Sequence, residues 1–216
     1  MSVVIGYGGV PNEIYKNLRE RILRGQIRSG SQIKIGAVAE EFGVSIIPVR
    51  EALRMLEADR LVDILPRRSP VVSGISTDEV LEISAIRLAL EPLALAEAIP
   101  NMTSETIARG ASLLEDYGEC SDPWDQVELN RQFHLGLYEP CGKKRLMKVI
   151  SDQYDGMTRC AQVLVIESSK LVDRSVAEHE QILRACDAKD LERATAMLRS
   201  HLQASNDRLH RQLVRA

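Results

Sequence analysis

The strongest constraint on the fold is the spacing of three residues in the segment IGAVAEEFGVSIIPVREALRMLEADRLV. Ala39, Gly43 and Val49 follow one another at intervals of four and six residues. Two helices joined by a tight turn need a small residue where they approach, a residue that tolerates positive φ in the turn, and an apolar residue that packs into the angle between them. These residues supply the three requirements in that order. The spacing therefore predicts a helix-turn-helix.

The second helix of this motif has clear start signals and one apolar face. Ser45 is a natural N-cap, and Pro48 is tolerated because the first turn has no intrahelical partner for the missing N–H. Val49, Leu53 and Leu56 recur at helical spacing. The helix is therefore predicted to bury that face.

Another face of the same helix carries two arginines. Arg50 and Arg54 are four residues apart, so their side chains project from one side. Guanidinium groups match guanine O6 and N7 or a phosphate, which predicts contact with DNA. The alternative is that they pair with Glu51, Glu57 or solvent.

A basic hairpin is predicted after this helix. The segment LVDILPRRSPVVS places Arg67 and Arg68 at the tip between two short apolar strands. A hairpin that follows a helix-turn-helix forms a winged arrangement, from which either arginine can reach phosphates or the minor groove. The alternative is a solvated surface turn.

Charge and composition narrow the class of protein. Residues 1–75 hold 11 Lys and Arg against 8 Asp and Glu, a net of +3, whereas residues 76–216 hold 17 against 23, a net of −6. A basic unit ahead of an acidic one indicates that only the first meets a polyanion, unless the asymmetry is chance. Aromatic residues are only 4% of the chain, which argues against base stacking on single strands. No signal peptide or membrane span is evident, so we expect a cytoplasmic protein.

A segment rich in turn-forming residues predicts a boundary between two domains. Residues 66–76, PRRSPVVSGIS, form a break, and the remainder has helical periodicity to its end. Ser76 and Glu79 have the spacing of a capping box, which marks the start of a helix. About six helices are expected after residue 77, or seven if the region between Asp125 and Ser151 breaks twice.

The first domain carries a family resemblance. The stretch FGVSIIPVREAL, Phe42 to Leu53, strongly resembles the winged helix of GntR-family bacterial transcriptional regulators. The resemblance implies that DNA is contacted by Lys34, Ser45, Ile47, Arg50, Arg67 and Arg68. The chain departs from the family pattern at Ile46, where the family usually has arginine, and at Ser69-Pro70, which replaces the usual wing glycine.

Three of the four histidines form a second pattern. Asn130 and His134 are four residues apart on the predicted third helix of the second domain, and His179 and His201 lie on the last two helices. Ligands from several helices of a bundle can converge on a metal ion, and imidazoles suit Zn²⁺ or Ni²⁺ better than Ca²⁺ or Mg²⁺. The alternative for each histidine is a packed or surface position.

The second domain also carries a family resemblance. The stretches SAIRLALEPLALAEA, LNRQFHLGLY and AEHEQILRACDAKDLERATAMLRSHL look like the all-helical FCD effector domain of the FadR-like branch of GntR regulators. The resemblance implies a metal held by Asn130, His134, His179 and His201. It also implies that Arg87 lies near the effector cavity, where it can hold a carboxylate. The alternative for Arg87 is a salt bridge to Glu91 on the same helix.

Together these observations predict a mostly α protein in two parts. We expect a flexible tail over 1–10, a winged helix-turn-helix over 11–73, a linker over 74–77 and an all-helical effector-binding and dimerisation domain over 78–216. The resemblance implies a homodimeric transcriptional regulator, a repressor that a small organic acid releases from palindromic operator DNA. The alternatives are a metal-dependent hydrolase using the three histidines, and an architectural DNA-binding dimer without an effector.

Overall fold

The computed structural model describes the backbone of residues 9–66, 68–164 and 169–213, and the side chains of these residues except 159–164, 169–171 and 212–213. The chain divides into two compact units, Met1–Ile75 and Ser76–Ala216. Among the described residues, no helix is long and apolar enough to span a bilayer. The two units, called here the winged unit and the helical unit, are described separately.

The winged unit contains three helices and a two-stranded hairpin among its described residues. These are α1 (Gly9–Leu23), α2 (Ile35–Phe42), α3 (Ile46–Ala58), β1 (Val62–Asp63) and β2 (Val71–Val72). Helix α1 begins inside the segment predicted as a tail, of which residues 1–8 lie outside the described range. The core joins α1 to α3 through Ile14, Leu18, Ile22, Val49, Leu53 and Leu56, each at most 1% exposed.

The turn between α2 and α3 has the conformation that its glycine permits. Gly43 adopts φ 64° and ψ 34°, and its N–H reaches the carbonyl groups of Ala39 and Glu40. A Cβ at this position would meet no atom of a described residue within 4 Å, so the backbone conformation alone calls for glycine. Ser45 occupies the predicted N-cap, but its side chain accepts no hydrogen bond from the helix.

The wing is an antiparallel hairpin with a defined register. Val62 pairs with Val72 and Asp63 with Val71, while an isolated bridge joins Gln32 to Val71. Val62 and Val72 are buried against the helices. The hairpin tip therefore lies on a strand pair that is anchored at its base.

The described part of the helical unit contains six α-helices. They are α4 (Thr77–Ala98), α5 (Ser104–Glu119), α6 (Pro123–Tyr138), α7 (Lys144–Leu164), α8 (Ser169–Asp187) and α9 (Leu191–Leu213). Ser76, Thr103 and Asp122 cap the starts of α4, α5 and α6 with their side chains. The region from Asp125 to Ser151 breaks once, where a 3₁₀ turn ends at Gly142 with φ 66°.

Helix packing in this unit brings polar residues into an apolar core. Helix α4 packs on α7 and α9, α5 packs on α6 and α8, and α8 packs on α9. Gly110 lets α5 approach α8, because a Cβ there would lie 2.9 Å from Leu183 Cδ1. Besides tyrosines, the described part of this core holds polar or charged residues that are at most 7% exposed, namely Ser84, Arg87, Glu91, His134, His179 and His201.

Candidate functional site

Three histidines from three helices meet in the core of the helical unit. His134 on α6, His179 on α8 and His201 on α9 are 1%, 0% and 7% exposed. The Nε2 atom of His179 lies 3.1 Å from Nε2 of His134 and 3.0 Å from Nε2 of His201. The structure thus brings together the three histidines that the sequence singled out, here called the histidine cluster.

The outer nitrogens of two of these rings are held by carboxylates, one directly and one through a tyrosine. His201 Nδ1 lies 2.8 Å from Glu178 Oε2, so this nitrogen carries the proton. His134 Nδ1 lies 3.0 Å from the hydroxyl of Tyr138, whose own O–H donates to Glu91 Oε2 at 2.7 Å. The tyrosine oxygen is therefore the acceptor, and the hydrogen-bond network assigns the proton to His134 Nδ1. Both rings present an Nε2 lone pair to the cluster.

The third ring cannot satisfy both of these lone pairs. A neutral imidazole has one N–H, so at most one of the two contacts of His179 Nε2 can be a hydrogen bond. Its Nδ1 is buried and has no hydrogen-bond partner among the described residues. Nitrogens that share an ion at about 2.1 Å lie about 3.0 to 3.4 Å apart, as the nitrogens do in these two contacts, and all three ligand atoms lie within 4.8 Å of one another. The donor set therefore fits a divalent ion that accepts imidazole nitrogen.

The surroundings keep two rings of the cluster uncharged and Glu178 charged. Burial lowers the pKa of both His134 and His179 well below the usual value, and neighbouring rings lower it further. The hydrogen bond from His201 is the largest cause that lowers the pKa of Glu178, to about 2. Neutral imidazoles backed by carboxylates are the state in which histidine binds metal.

A buried ion pair adjoins the cluster. Arg87 Nε donates to Glu91 Oε1 at 2.5 Å, and Arg87 Nη2 donates to the hydroxyl of Tyr154 at 2.9 Å. The Tyr154 hydroxyl donates to Glu91 Oε2 at 3.0 Å, and the guanidinium carbon lies 4.4 Å from the centroid of that ring. The salt bridge considered for Arg87 from the sequence is thus present, and the effector contact stays a prediction.

Sequence reasoning missed parts of this network. Tyr138 follows His134 by four residues, a spacing that could have indicated contact between them. Tyr154 is 67 residues from Arg87 along the chain, and no local pattern connects the two. Asn130 is half-buried one turn before His134, and its side chain makes no hydrogen bond to a described residue. Its part in metal binding stays a prediction.

The winged unit presents a cationic groove between α3 and the wing. Arg50 and Arg54 of α3 and Arg68 of the wing are exposed and line this groove, which has a volume of about 720 Å³. Neither α3 arginine forms an ion pair with a residue that the structure describes, so pairing with Glu51 or Glu57 is not observed. The guanidinium groups therefore face solvent beside an open groove.

The other residues predicted to contact DNA lie at helix starts or outside the described range. Lys34 is the N-cap of α2, Ser45 is the N-cap of α3, and Ile47 is the second residue of α3. All three are exposed. Arg67 lies outside the described residues.

The buried ion pair generates a stability prediction. Glu91→Ala leaves the Arg87 guanidinium in the core without its carboxylate and removes the acceptor of two tyrosine hydroxyls. We expect the free energy of unfolding to fall by about 3–5 kcal/mol, measured by urea denaturation in chelator so that no ion contributes. Glu82→Ala, which removes an exposed carboxylate from the same helix, should change it by less than about 0.5 kcal/mol. Equal losses in the two variants would contradict this account.

Comparison with known families matches both units. Residues 11–72 match the family described as bacterial regulatory proteins, gntR family, and residues 82–204 match the FCD domain. The first match covers most of the winged unit, and the second covers most of the helical unit. The second alone covers more than half of the chain.

Individual relatives agree with these matches. The chain is 32% identical over 203 residues to the HTH-type transcriptional regulator BphR of Paraburkholderia xenovorans, covering 88% of this chain and 81% of that protein. It is 25% identical over 201 residues to the transcriptional repressor GlaR of Escherichia coli, covering 87% and 90%. The solved structure of E. coli McbR/YncC superposes with a TM-score of 0.81 over 94% of this chain and 98% of that one, at 24% identity, which shows the shared fold.

These findings decide between the classes of protein that the sequence left open. The family and its relatives are transcriptional regulators and not enzymes, which removes the hydrolase alternative. The chain belongs to the GntR family of bacterial regulatory proteins, with an FCD domain, and is a DNA-binding transcriptional regulator.

Proposed function

We propose that this regulator is a homodimer whose operator affinity is set by a small organic acid bound at a divalent ion, zinc or nickel, in the histidine cluster. The observation that carries the proposal is the convergence of three buried imidazole nitrogens, of whose two close contacts at most one can be a hydrogen bond. His134, His179 and His201 would hold the ion, with Asn130 as a further oxygen ligand. Glu178 and the Tyr138–Glu91 pair fix the orientation of the rings.

The charge balance of the cluster favours an anionic effector. None of the proposed ligands is a carboxylate or thiolate, burial holds His134 and His179 neutral, and Asn130 is an amide. When bound, the ion supplies an uncompensated positive charge that attracts carboxylate oxygens. A carboxylic acid therefore suits this site better than a neutral or cationic compound.

Arg87 is proposed to hold the same effector. Its Nε and Nη2 atoms are engaged with Glu91 and Tyr154, and a guanidinium has a further NH₂ group with which to bind a carboxylate. Since Arg87 is 5% exposed, such a contact would be made in a largely desolvated environment, where charge-assisted hydrogen bonds are strong. The effector would therefore carry one acid group that binds the ion and another polar group that binds Arg87.

The winged unit is proposed to bind one half-site of a palindromic operator in the bacterial cytoplasm. Arg50, Arg54 and Ile47 would enter the major groove from α3, while Lys34, Ser45, Arg67 and Arg68 would flank the groove. Two such helices in a dimer read half-sites about 34 Å apart. Since relatives such as GlaR are named as repressors, we propose that effector binding relieves repression.

The operator contact is tested by removing one arginine. Arg50→Ala should weaken binding to a duplex selected by the protein from a random library by at least about fivefold, since a bidentate contact to guanine is worth about 1–3 kcal/mol. Fluorescence anisotropy at fixed salt measures the affinity. Arg109→Ala removes the same charge from α5, where the side chain is 66% exposed, and should leave the affinity unchanged. Unchanged affinity in Arg50→Ala would contradict the assigned groove contact.

The effector proposal is tested by titrating acids into the protein–operator complex. With zinc or nickel restored, at least one member of a panel of small mono-, di- and tricarboxylates should shift operator affinity by about 5- to 150-fold. His134→Ala should abolish the shift, and His210→Ala, an exposed histidine outside the cluster, should retain it. If no acid changes the affinity of the metal-loaded protein, an architectural DNA binder without an effector is the better description.

A further inference from the structure

Two adjacent isoleucines are exposed at the start of α3. Ile46 is 51% exposed and Ile47 is 68% exposed, whereas Val49, Leu53 and Leu56 of the same helix are at most 1% exposed. Single exposed apolar residues are ordinary on protein surfaces. Two exposed side chains of this size at consecutive positions make the helix start apolar; they are here called the isoleucine pair.

The isoleucine pair shares a helix face with the arginines of the groove. Ile46 precedes Arg50 by four residues, and Ile47 precedes Arg54 by seven, so each isoleucine lies on the same side of α3 as one arginine. In a helix-turn-helix, the N-terminal residues of the second helix are those that contact base edges. The isoleucine pair therefore occupies the end of α3 from which a helix-turn-helix contacts base edges.

The surrounding charge indicates what covers this apolar surface. Lys34, Arg50, Arg54 and Arg68 are all exposed, and none forms an ion pair with a described residue. An apolar protein partner would have to desolvate these cations, whereas a DNA duplex supplies phosphates for them. The occupant that fits both the isoleucine pair and its surroundings is duplex DNA.

The major groove offers one apolar group to such a surface. Isoleucine has no side-chain donor or acceptor with which to contact the polar edges of the bases, and the C5-methyl of thymine is the apolar group exposed there. We propose that Ile46 and Ile47 recognise thymine methyl groups in each operator half-site. The proposal rests on the operator binding proposed above and adds the base that the start of α3 selects. An arginine at position 46 would instead favour guanine or phosphate.

The test removes single methyl groups from the DNA. Duplexes are selected by the full-length protein from a random library, and each thymine of the enriched half-site is then replaced by deoxyuridine, which lacks only the C5-methyl. Loss of one contacted methyl should weaken binding about fourfold, and loss in both half-sites about fifteenfold. Ile46→Ala and Ile47→Ala should each weaken binding to the thymine duplex, and in at least one of them a sensitive deoxyuridine position should become neutral.

Controls separate this contact from electrostatic or folding effects. Leu191→Ala removes a 44% exposed leucine from the helical unit and should leave both affinity and deoxyuridine sensitivity unchanged. The slope of log affinity against log salt should be unaltered in the isoleucine variants, because no phosphate contact is lost. Since alanine is a better helix former than isoleucine and both positions are exposed, the variants should fold normally.

The outcomes distinguish the two proposals. If no duplex is enriched over random competitor, operator binding itself fails and this inference fails with it. If an operator is enriched but every deoxyuridine replacement keeps affinity within twofold, only the isoleucine contact is overturned. The isoleucine contact is also overturned if both isoleucine variants keep the deoxyuridine sensitivity. It is overturned as well if the variants keep their DNA affinity but no longer bind a protein partner that covers the isoleucine pair.

Discussion

The helical unit is organised around three imidazole nitrogens that converge within an apolar core. At most one of the two contacts of His179 Nε2 can be a hydrogen bond, so at least one buried lone pair faces it without a donor, and a cation between the rings would satisfy all three nitrogens. Helices α6, α8 and α9 each contribute one ring, and two carboxylates orient the rings from outside the cluster. These helices therefore pack so that they form the histidine cluster as well as a hydrophobic core.

Helix α4 connects this site to the rest of the chain. It carries Arg87 and Glu91, and a continuous path of hydrogen bonds runs from Arg87 through Glu91 and Tyr138 to His134. The same helix begins at Thr77, directly after the winged unit ends. An acid that binds at Arg87 would change the contacts of α4, which is the first helix after the winged unit. Differential contacts of this kind are what allosteric coupling requires.

The features predicted correctly from the sequence are those fixed by local physics. The turn at Gly43 needs a left-handed backbone, and the start of α4 is fixed by Ser76, whose hydroxyl accepts the N–H of Glu79. The contact of Arg87 with Glu91 was likewise visible as a four-residue spacing. The hydrogen bonds of Tyr154 were not, because they depend on how α7 packs against α4, and sequence spacing carries no information about that distance. For the same reason, the sequence does not predict whether the helices between Asp125 and Ser151 are interrupted once or twice.

The metal content of the intact protein is the most direct test of metal binding at the histidine cluster. Purified protein loaded with zinc or nickel and passed through a desalting column should hold one ion per chain by elemental analysis, and X-ray absorption should show imidazole nitrogen as its main ligand. His179→Ala should hold none, while His210→Ala should hold as much as the unchanged protein. If the unchanged protein retains no ion, or if His179→Ala retains as much, the histidine cluster is not a metal site and the proposed effector mechanism is wrong.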